Sequence, residues 1–186
     1  MSDVSWIPHQ NPDKMLIISS SYDTTARISS IESGIARGVA SLHLHTASVS
    51  SIRSNSSGTR LLTAGWDHLI GLWTSNIPEE DEVPLPVSGE EPTRKRRKLA
   101  ASSVRTQERL LKRKAPHTVL KSHTGRVSKA LFSLEDDSKA FSSGWDCTVR
   151  SWDLEVGICT GTAVCDAKAC VLFISSKMLP RRLPSE

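Results

Sequence analysis

The sequence contains little of what zinc sites, membrane spans and secretion signals require. Its 186 residues include only four cysteines, and none has the Cys-x-x-Cys spacing that zinc sites use. No uninterrupted apolar run approaches the ~20 residues of a membrane-spanning helix, and the first residues lack the basic segment and apolar core of a secretory signal. These absences predict a soluble, intracellular chain with no cofactor, no metal and no membrane partner, whose cysteines are reduced thiols.

The sequence does contain a repeat. Residues 45–73 and 123–152 each run from a His-Thr pair to a Gly-Trp-Asp triplet, and each ends in a Trp six residues after the Asp. A weaker copy is centred on Asp23, which precedes Asp67 by 67 − 23 = 44 residues. That interval matches the roughly 40–45 residues of one β-propeller blade. Since a single blade cannot bury both of its faces, the repeat predicts a stack of blades.

Each copy also has the pattern of a β-hairpin. Arg60–Ala64 and Leu69–Trp73 are short, mainly apolar runs on either side of the polar turn Gly65–His68. Such runs around a tight turn are typical of paired antiparallel strands. We therefore predict an all-β fold.

These motifs resemble the WD-repeat family, in which each blade holds a hydrogen-bonded set of His, Ser or Thr, Asp and Trp. Such a set can satisfy itself, because an indole N–H only donates, a carboxylate only accepts, and a hydroxyl and an imidazole relay between them. The first copy has Ser29 in place of the Trp and lacks the His, so we expect it to form the looser blade. The resemblance implies two structural tetrads: His45, Thr63, Asp67 and Trp73 in one blade, and His123, Ser142, Asp146 and Trp152 in the next.

A Ser or Thr beside His and Asp also occurs in hydrolases. Nucleophilic catalysis needs an exposed hydroxyl, usually on a strained turn, beside an oxyanion hole. The chain has no Gly-x-Ser-x-Gly elbow, and the same trio occurs twice at blade spacing. The pattern therefore favours structural tetrads over a catalytic site.

The resemblance implies an incomplete WD40 β-propeller of about three blades plus the start of a fourth, with a disordered basic and acidic insertion. A closed propeller of about seven such blades would need roughly 300 residues, so we expect a fragment or a truncated product whose uncovered strand edges favour aggregation. The assigned segments are a partial blade at 1–38, a blade at 39–75, the insertion at 76–116, a blade at 117–157, and the start of a truncated blade with a tail at 158–186.

The insertion carries most of the basicity of the chain. It opens acidic and proline-rich at 77–86, continues into the basic cluster Arg94, Lys95, Arg96, Arg97 and Lys98, and ends in a basic stretch at 107–114 that is compatible with a short helix. Between Asn76 and Pro116, ten Lys or Arg outnumber seven Asp or Glu, which gives +3 of the net charge of +4.

Three interpretations of the basic cluster stay open. Recognition by an import receptor is the first, non-specific contact with nucleic acid phosphates the second, and a solvated charge run without a partner the third. No aromatic residue interleaves the basic ones, which argues against a platform for base stacking.

The Gly-Trp-Asp turns, interrupted by an acidic, proline-rich stretch and a basic cluster, are similar to those of fungal WD-repeat subunits of Pescadillo-containing ribosome-biogenesis complexes. The residues that carry this resemblance are Trp66, Asp67, Glu79–Pro84 and Arg94–Lys98. It implies a non-enzymatic scaffold for large (60S) ribosomal subunit assembly and pre-rRNA maturation, in the nucleolus and nucleoplasm.

The implied partners are Bop-type and Pescadillo-type proteins of the pre-60S ribosomal particle, with an import receptor for the basic cluster and an indirect or weak contact with RNA. Two alternatives remain, because propellers host many functions. One is a nuclear adaptor in chromatin or ubiquitin-ligase assemblies. The other is a direct RNA-binding protein that uses the basic insertion.

Overall fold

The computed structural model describes residues 2–8, 15–32, 34–83 and 111–165. Within these ranges the chain forms strands and turns without a helix, which confirms the all-β prediction. The strands are β1 (Asp3–Ile7), β2 (Met15–Ser20), β3 (Ala26–Glu32), β4 (Ile35–Leu42), β5 (Val49–Ser54), β6 (Arg60–Gly65), β7 (Leu69–Thr74), β8 (Lys112–Lys114), β9 (Thr118–Lys121), β10 (Val127–Phe132), β11 (Lys139–Gly144), β12 (Thr148–Asp153) and β13 (Ile158–Val164).

The strands form three sheets, which follow one another along the chain as consecutive propeller blades do. Blade 1 has the order β1-β2-β3-β4-β8, blade 2 the order β5-β6-β7-β9, and blade 3 the order β10-β11-β12-β13. Neighbouring strands pair antiparallel, except that β8 runs parallel to β4. The predicted stack of WD-type blades is therefore confirmed.

Blade 2 is apolar on both faces because it lies between the other two. Side chains of successive strand residues point to opposite faces, and in β6 Leu61 packs in a cluster with blade 1 whereas Leu62 packs in a cluster with blade 3. Both leucines are fully buried, and each such burial contributes roughly 1.5–3 kcal/mol. The near-continuous apolar run of β6 thus follows from its central position.

Polar contacts also connect neighbouring blades. The Ser50 hydroxyl donates to the backbone carbonyl of Val127 at 2.6 Å, which joins blade 2 to blade 3. At the opposite end of the inner strands, Asn55 Nδ2 donates to Asp137 Oδ2 at 2.9 Å. Blade 1 contributes the carboxylate of Asp3, which accepts from the backbone N–H of Ile52 at 3.2 Å.

The sequence repeats are offset from the blades by one strand. Strand β13 pairs with β12, so residues 158–164 form the outermost strand of blade 3. The rest of the segment predicted to begin a further blade, residues 166–186, lies outside the described residues. Strand β9 follows the insertion but pairs with β7, which precedes it. The insertion therefore interrupts blade 2 between its third and fourth strands.

The two ends of the insertion are ordered and held together; we call this contact the clasp. The backbone N–H of Glu82 donates to the carbonyl of Arg113 at 2.7 Å, and the N–H of Arg113 donates to Asp81 Oδ1 at 2.8 Å. Lys114 is buried, and its Nζ donates to the carbonyl and side-chain oxygens of Asn76 at 2.8 and 2.9 Å. Acidic and basic ends of the insertion thus bind each other at the outer edge of blade 1.

Within the clasp, residues 112–114 form strand β8, where the sequence was compatible with a helix. A strand is favoured here because the exposed edge of β4 offers unpaired backbone groups, and the parallel register places Lys114 beside Leu42. Residues 84–110, including the cluster Arg94–Lys98, lie outside the described residues.

One backbone feature is shared by all three blades. The residue that follows the turn Asp has a positive φ in each blade: 74° at Thr24, 69° at His68 and 57° at Cys147. The weak first copy therefore makes the same turn as the other two. Because a β-branched side chain is strained in the left-handed region, Thr24 is the poorest fit of the three.

We expect Thr24→Asn to raise the free energy of unfolding by up to about 1 kcal/mol, because asparagine adopts the left-handed conformation at lower cost. Urea denaturation of the variant and the parent chain measures the change. His68→Asn is the matched control, since histidine already tolerates this region and should gain much less. Equal effects at both positions would contradict the strain argument.

Candidate functional site

The first predicted tetrad is assembled in blade 2. His45 Nδ1 lies 3.0 and 3.1 Å from the two carboxylate oxygens of Asp67, and His45 Nε2 lies 2.8 Å from the Thr63 hydroxyl. The indole N–H of Trp73 donates to the same hydroxyl at 3.0 Å. The structure therefore brings all four residues into one hydrogen-bonded chain.

The second tetrad repeats this geometry in blade 3. His123 Nδ1 lies 2.8 Å from Asp146 Oδ2, and His123 Nε2 lies 2.7 Å from the Ser142 hydroxyl. The indole N–H of Trp152 donates to Ser142 at 2.7 Å. Blade 3 adds one contact, because the Thr148 hydroxyl donates to Asp146 Oδ1 at 2.7 Å.

The two ends of each tetrad fix the direction of its hydrogen bonds. Because the carboxylate can only accept, the imidazole Nδ1 must carry the proton that it donates to Asp. The indole can only donate, so the hydroxyl accepts from Trp and donates its own proton to the imidazole Nε2. Each member is satisfied, and a fully satisfied buried network stabilises one arrangement of its members.

The glycine of each Gly-Trp-Asp triplet is required by this network. A Cβ on Gly65 would lie 2.3 Å from His45 Nδ1 and 2.4 Å from Asp67 Oδ1. A Cβ on Gly144 would lie 2.7 Å from Asp146 Oδ1. Any larger residue would therefore occupy the space between imidazole and carboxylate.

The Asp of each tetrad also organises the surrounding loops. Asp67 Oδ2 accepts from the backbone N–H of Thr46 at 3.0 Å, and Asp146 Oδ2 accepts from that of Thr124 at 3.0 Å. Each carboxylate thus joins the loop that enters its blade to the turn between the second and third strands. In blade 1, Asp23 accepts from Thr25 within its own turn, through the hydroxyl at 2.7 Å and the backbone N–H at 3.1 Å.

The electrostatics of the tetrads follow from burial and hydrogen bonding. Burial alone would raise the pKa of the Asp146 carboxyl, but hydrogen bonds from Thr148, His123 and Thr124 outweigh it and lower the pKa to about 2. The pKa of Asp67 is lowered from its ordinary value, because donors led by His45 outweigh the effect of burial. Burial lowers the pKa of the His123 imidazole, although Asp146 opposes that shift.

The catalytic interpretation of the trio does not fit this geometry. The hydroxyl residues Thr63 and Ser142 are 0 % exposed, and each hydroxyl already binds an imidazole and an indole. A nucleophile must reach its substrate. Neither hydroxyl can do so in this fold.

None of the three cysteines that the structure describes belongs to a metal-ligand set. Cys147 and Cys159 are free and half-buried, whereas Cys165 is disulfide-bonded, so the expectation of reduced thiols is wrong for Cys165. Within the ranges that the structure describes, no three His, Cys, Asp or Glu residues gather as a metal site would require. The same ranges hold no helix with the length and hydropathy to cross a membrane.

Sequence reasoning missed one surface, which we call the aromatic row. Tyr22, Trp66 and Trp145 each precede the turn Asp of their blade, and in the structure they follow one another across the three blades. The ring centroids of Tyr22 and Trp66 are 5.7 Å apart, and those of Trp66 and Trp145 are 6.4 Å apart. The signal in the sequence was an aromatic residue at the same position of all three copies.

Comparison with known families identifies the repeats. The family described as "WD domain, G-beta repeat" matches residues 37–74 and 114–153. These ranges hold both tetrads and the turns between their strands. The chain therefore contains two WD repeats.

Several curated proteins are similar to this WD-repeat chain over most of its length. "Ribosome biogenesis protein YTM1" of Laccaria bicolor is 44% identical over 165 residues, which are 85% of this chain and 35% of that protein. The protein of the same name from Coprinopsis cinerea is 48% identical over 158 residues, 81% of this chain and 35% of that protein. The chain thus spans about a third of the length of these relatives.

We expect Asp146→Ala to lower the free energy of unfolding by about 1–3 kcal/mol, because it leaves the buried donors of His123 and Thr148 without their carboxylate acceptor. Asp67→Ala should have a similar effect in blade 2. Urea denaturation measures both, and Glu155→Ala, an exposed acidic residue of blade 3, is the control that should change little. Full stability in either Asp variant would refute the structural role of its tetrad.

The pH dependence of unfolding tests the same network. The pKa of Asp146 is about 2 in the folded chain, whereas that of an unfolded Asp is about 3.9. Its contribution to the free energy of unfolding is therefore present above about pH 4 and is lost as the pH falls towards 2. Because the pKa of His123 is lowered in the folded state, this residue stabilises the fold fully above about pH 6.5. Its contribution to the free energy of unfolding is lost as the pH falls below that value. Asp146→Ala should therefore flatten the acidic part of the profile.

Proposed function

We propose that this chain is part of a non-enzymatic WD-repeat scaffold that supports assembly of the large ribosomal subunit and maturation of its precursor RNA. The observation that carries the proposal is the 44–48% identity to proteins named for ribosome biogenesis, over more than four fifths of this chain. The partners that we propose are Bop-type and Pescadillo-type proteins of the pre-60S particle.

The structure supports a binding platform in two ways. Its tetrads and apolar clusters hold the blades rigidly, and a preformed surface loses little conformational entropy when it binds a partner. Its Ser and Thr hydroxyls beside His and Asp are buried and fully engaged. The residues that most resemble a catalytic set thus serve the fold, which favours a scaffold over an enzyme.

The proposed site of action is the nucleus, including the nucleolus and nucleoplasm. The dense basic cluster Arg94–Lys98 is the candidate address for an import receptor. It belongs to the insertion, whose two ends bind each other in the clasp at the outer edge of blade 1. None of its residues belongs to a tetrad.

Direct RNA binding through the insertion is the second candidate, and its basic cluster is the observation that favours it. The clasp weakens this candidate, because Lys114 is buried with its Nζ bound to Asn76, and the guanidinium of the half-buried Arg113 lies 3.3 Å from His43 Nδ1. These two cations are less available for phosphates than the sequence suggests. A third candidate, a nuclear adaptor for other assemblies, keeps the same fold.

Affinity capture separates the scaffold from the RNA binder. We expect the tagged protein to recover a Bop-type partner from its own cells after nuclease treatment, and also after residues 84–110 are replaced by a short Gly-Ser linker. Such a linker can keep the clasp, because Glu82 and Arg113 already share a backbone hydrogen bond of 2.7 Å. Loss of the partner on nuclease treatment or on replacement would favour the RNA binder and refute the scaffold as we place it.

Replacing Arg94, Lys95, Arg96, Arg97 and Lys98 by glutamine should reduce nuclear accumulation of a fluorescent fusion several-fold, because import receptors recognise dense positive charge. Thermal unfolding of the purified variant should be unchanged, since none of the replaced residues belongs to a strand of the three blades or to a tetrad. Glutamine replacement of Lys121 and Lys139, exposed cations of the blades, is the control. Undiminished nuclear accumulation of the cluster variant would rule out this address.

A further inference from the structure

The aromatic row is exposed although its rings are large and apolar. Tyr22 is 59 % exposed and Trp145 is 56 % exposed, while Trp66 between them is half-buried. A contiguous exposed aromatic patch on a folded domain commonly marks an interaction site. Here the same position of three successive blades contributes to one patch.

The row is held in place by the backbone. The N–H of Trp66 donates to the carbonyl of Ser48 at 2.9 Å, and the N–H of Trp145 donates to that of Arg126 at 2.8 Å. The Ser48 hydroxyl in turn donates to the carbonyl of Tyr22 at 2.9 Å. Because these bonds fix each turn against the loop beside it, a partner would meet rings that are already positioned.

Arg126 gives the row its charge. Its guanidinium carbon lies 4.7 Å from the ring centroid of Trp66 and 5.4 Å from that of Trp145. The side chain is exposed, and no carboxylate pairs with it among the described residues. Stacking on two indoles leaves the edge of the guanidinium, with its N–H donors, open to a ligand.

The acidic residues nearest the row do not neutralise this charge. The carboxylates of Asp67 and Asp146 are directed inward to His45 and His123, and their side chains are only 6% exposed. Asp23 is occupied by Thr25. The patch is therefore an apolar surface with one uncompensated cation at its centre.

We propose that the aromatic row and Arg126 form a docking site for a segment of a partner protein that presents an Asp or Glu carboxylate between apolar side chains. The carboxylate would pair with the guanidinium edge in the bidentate geometry that arginine favours, and the apolar neighbours would cover Tyr22 and Trp145. Trp, Tyr and Arg are the residues most enriched at the energetic centres of protein interfaces.

A protein segment fits this surface better than single-stranded RNA does. Base stacking needs an open, parallel ring face, whereas these rings are tilted by 52° and 46° to one another and the guanidinium already lies over two of them. The site is independent of the ribosome-biogenesis proposal, because it specifies the chemistry of a partner and not the assembly to which that partner belongs.

The test measures direct binding of defined probes to the purified chain. The probes are two 12-residue peptides, identical except that a central Glu between Leu and Phe in one is Gln in the other, and an oligouridylate of 12 nucleotides. Indole NMR signals and fluorescence titration report binding at the row. We expect the Glu peptide to bind at least about tenfold more tightly than the Gln peptide, since the charge-assisted pair is lost in the latter.

Variants assign the binding to the row. Arg126→Gln should remove the preference for Glu, and Trp145→Ala should weaken both peptides at least about tenfold. Lys121→Gln and Trp6→Ala are the matched controls, and both variants should bind the peptides as the parent chain does. Lys121 is an exposed cation on β9, and Trp6, which lies on β1, is 56 % exposed, as Trp145 is. Circular dichroism of each variant establishes that it is folded.

Three results with the peptides would overturn the proposal. They are equal affinity for the Glu and Gln peptides, affinities that Arg126→Gln and Trp145→Ala leave unchanged, and the absence of binding by either peptide at millimolar concentration. Tight binding of the oligouridylate that Trp145→Ala abolishes would also overturn it and would assign the row to RNA. None of these outcomes depends on partner capture in cells, so this site and the proposed function can fail separately.

Discussion

The indole of Trp73, and that of Trp152 in the next blade, connects the polar and the apolar interior of this fold. Each indole is essentially fully buried in the apolar cluster between two blades, while its N–H ends the hydrogen-bonded chain that begins at Asp67 or Asp146. Packing between blades therefore positions the tetrad, and the tetrad positions the loops. The aromatic row depends on both, because Trp66 and Trp145 occupy the turns that the carboxylates hold.

The sequence predicts the features that depend on local contacts. Copies that share His, Gly-Trp-Asp and Trp at fixed spacing predict the hairpins and tetrads, because each tetrad draws its four residues from one repeat and donors and acceptors match within it. The sequence of β6 also reflects the central position of blade 2, since its apolar run includes the adjacent Leu61 and Leu62, which are buried on opposite faces. Such a run is expected when both faces of a strand are buried.

Features that depend on distant pairing are not visible in the sequence. Strand β9 pairs with β7 across the whole insertion, and β8, which lies within the insertion of blade 2, pairs with β4 of blade 1. Both are short, and their composition does not distinguish them from loop residues. The acidic and basic ends of the insertion are conspicuous in the sequence, but only the fold shows that they meet, with Lys114 Nζ 3.7 Å from Glu82 Oε1. The aromatic row is predictable in part. The periodic spacing of its residues is visible in the sequence, whereas the placement of Arg126 beside two indoles is seen only in the structure.

The interruption of blade 2 has a consequence for how the chain folds during synthesis. Strands β5, β6 and β7 leave the ribosome together and can form hairpins within microseconds, but β9 follows only after about forty more residues. At roughly 5–20 residues per second, the edge of β7 stays unpaired for about 2–8 seconds. A bare strand edge invites pairing with another chain, and Leu69–Thr74 is almost entirely apolar. This nascent edge is therefore the point at which a chaperone would protect the growing chain most effectively.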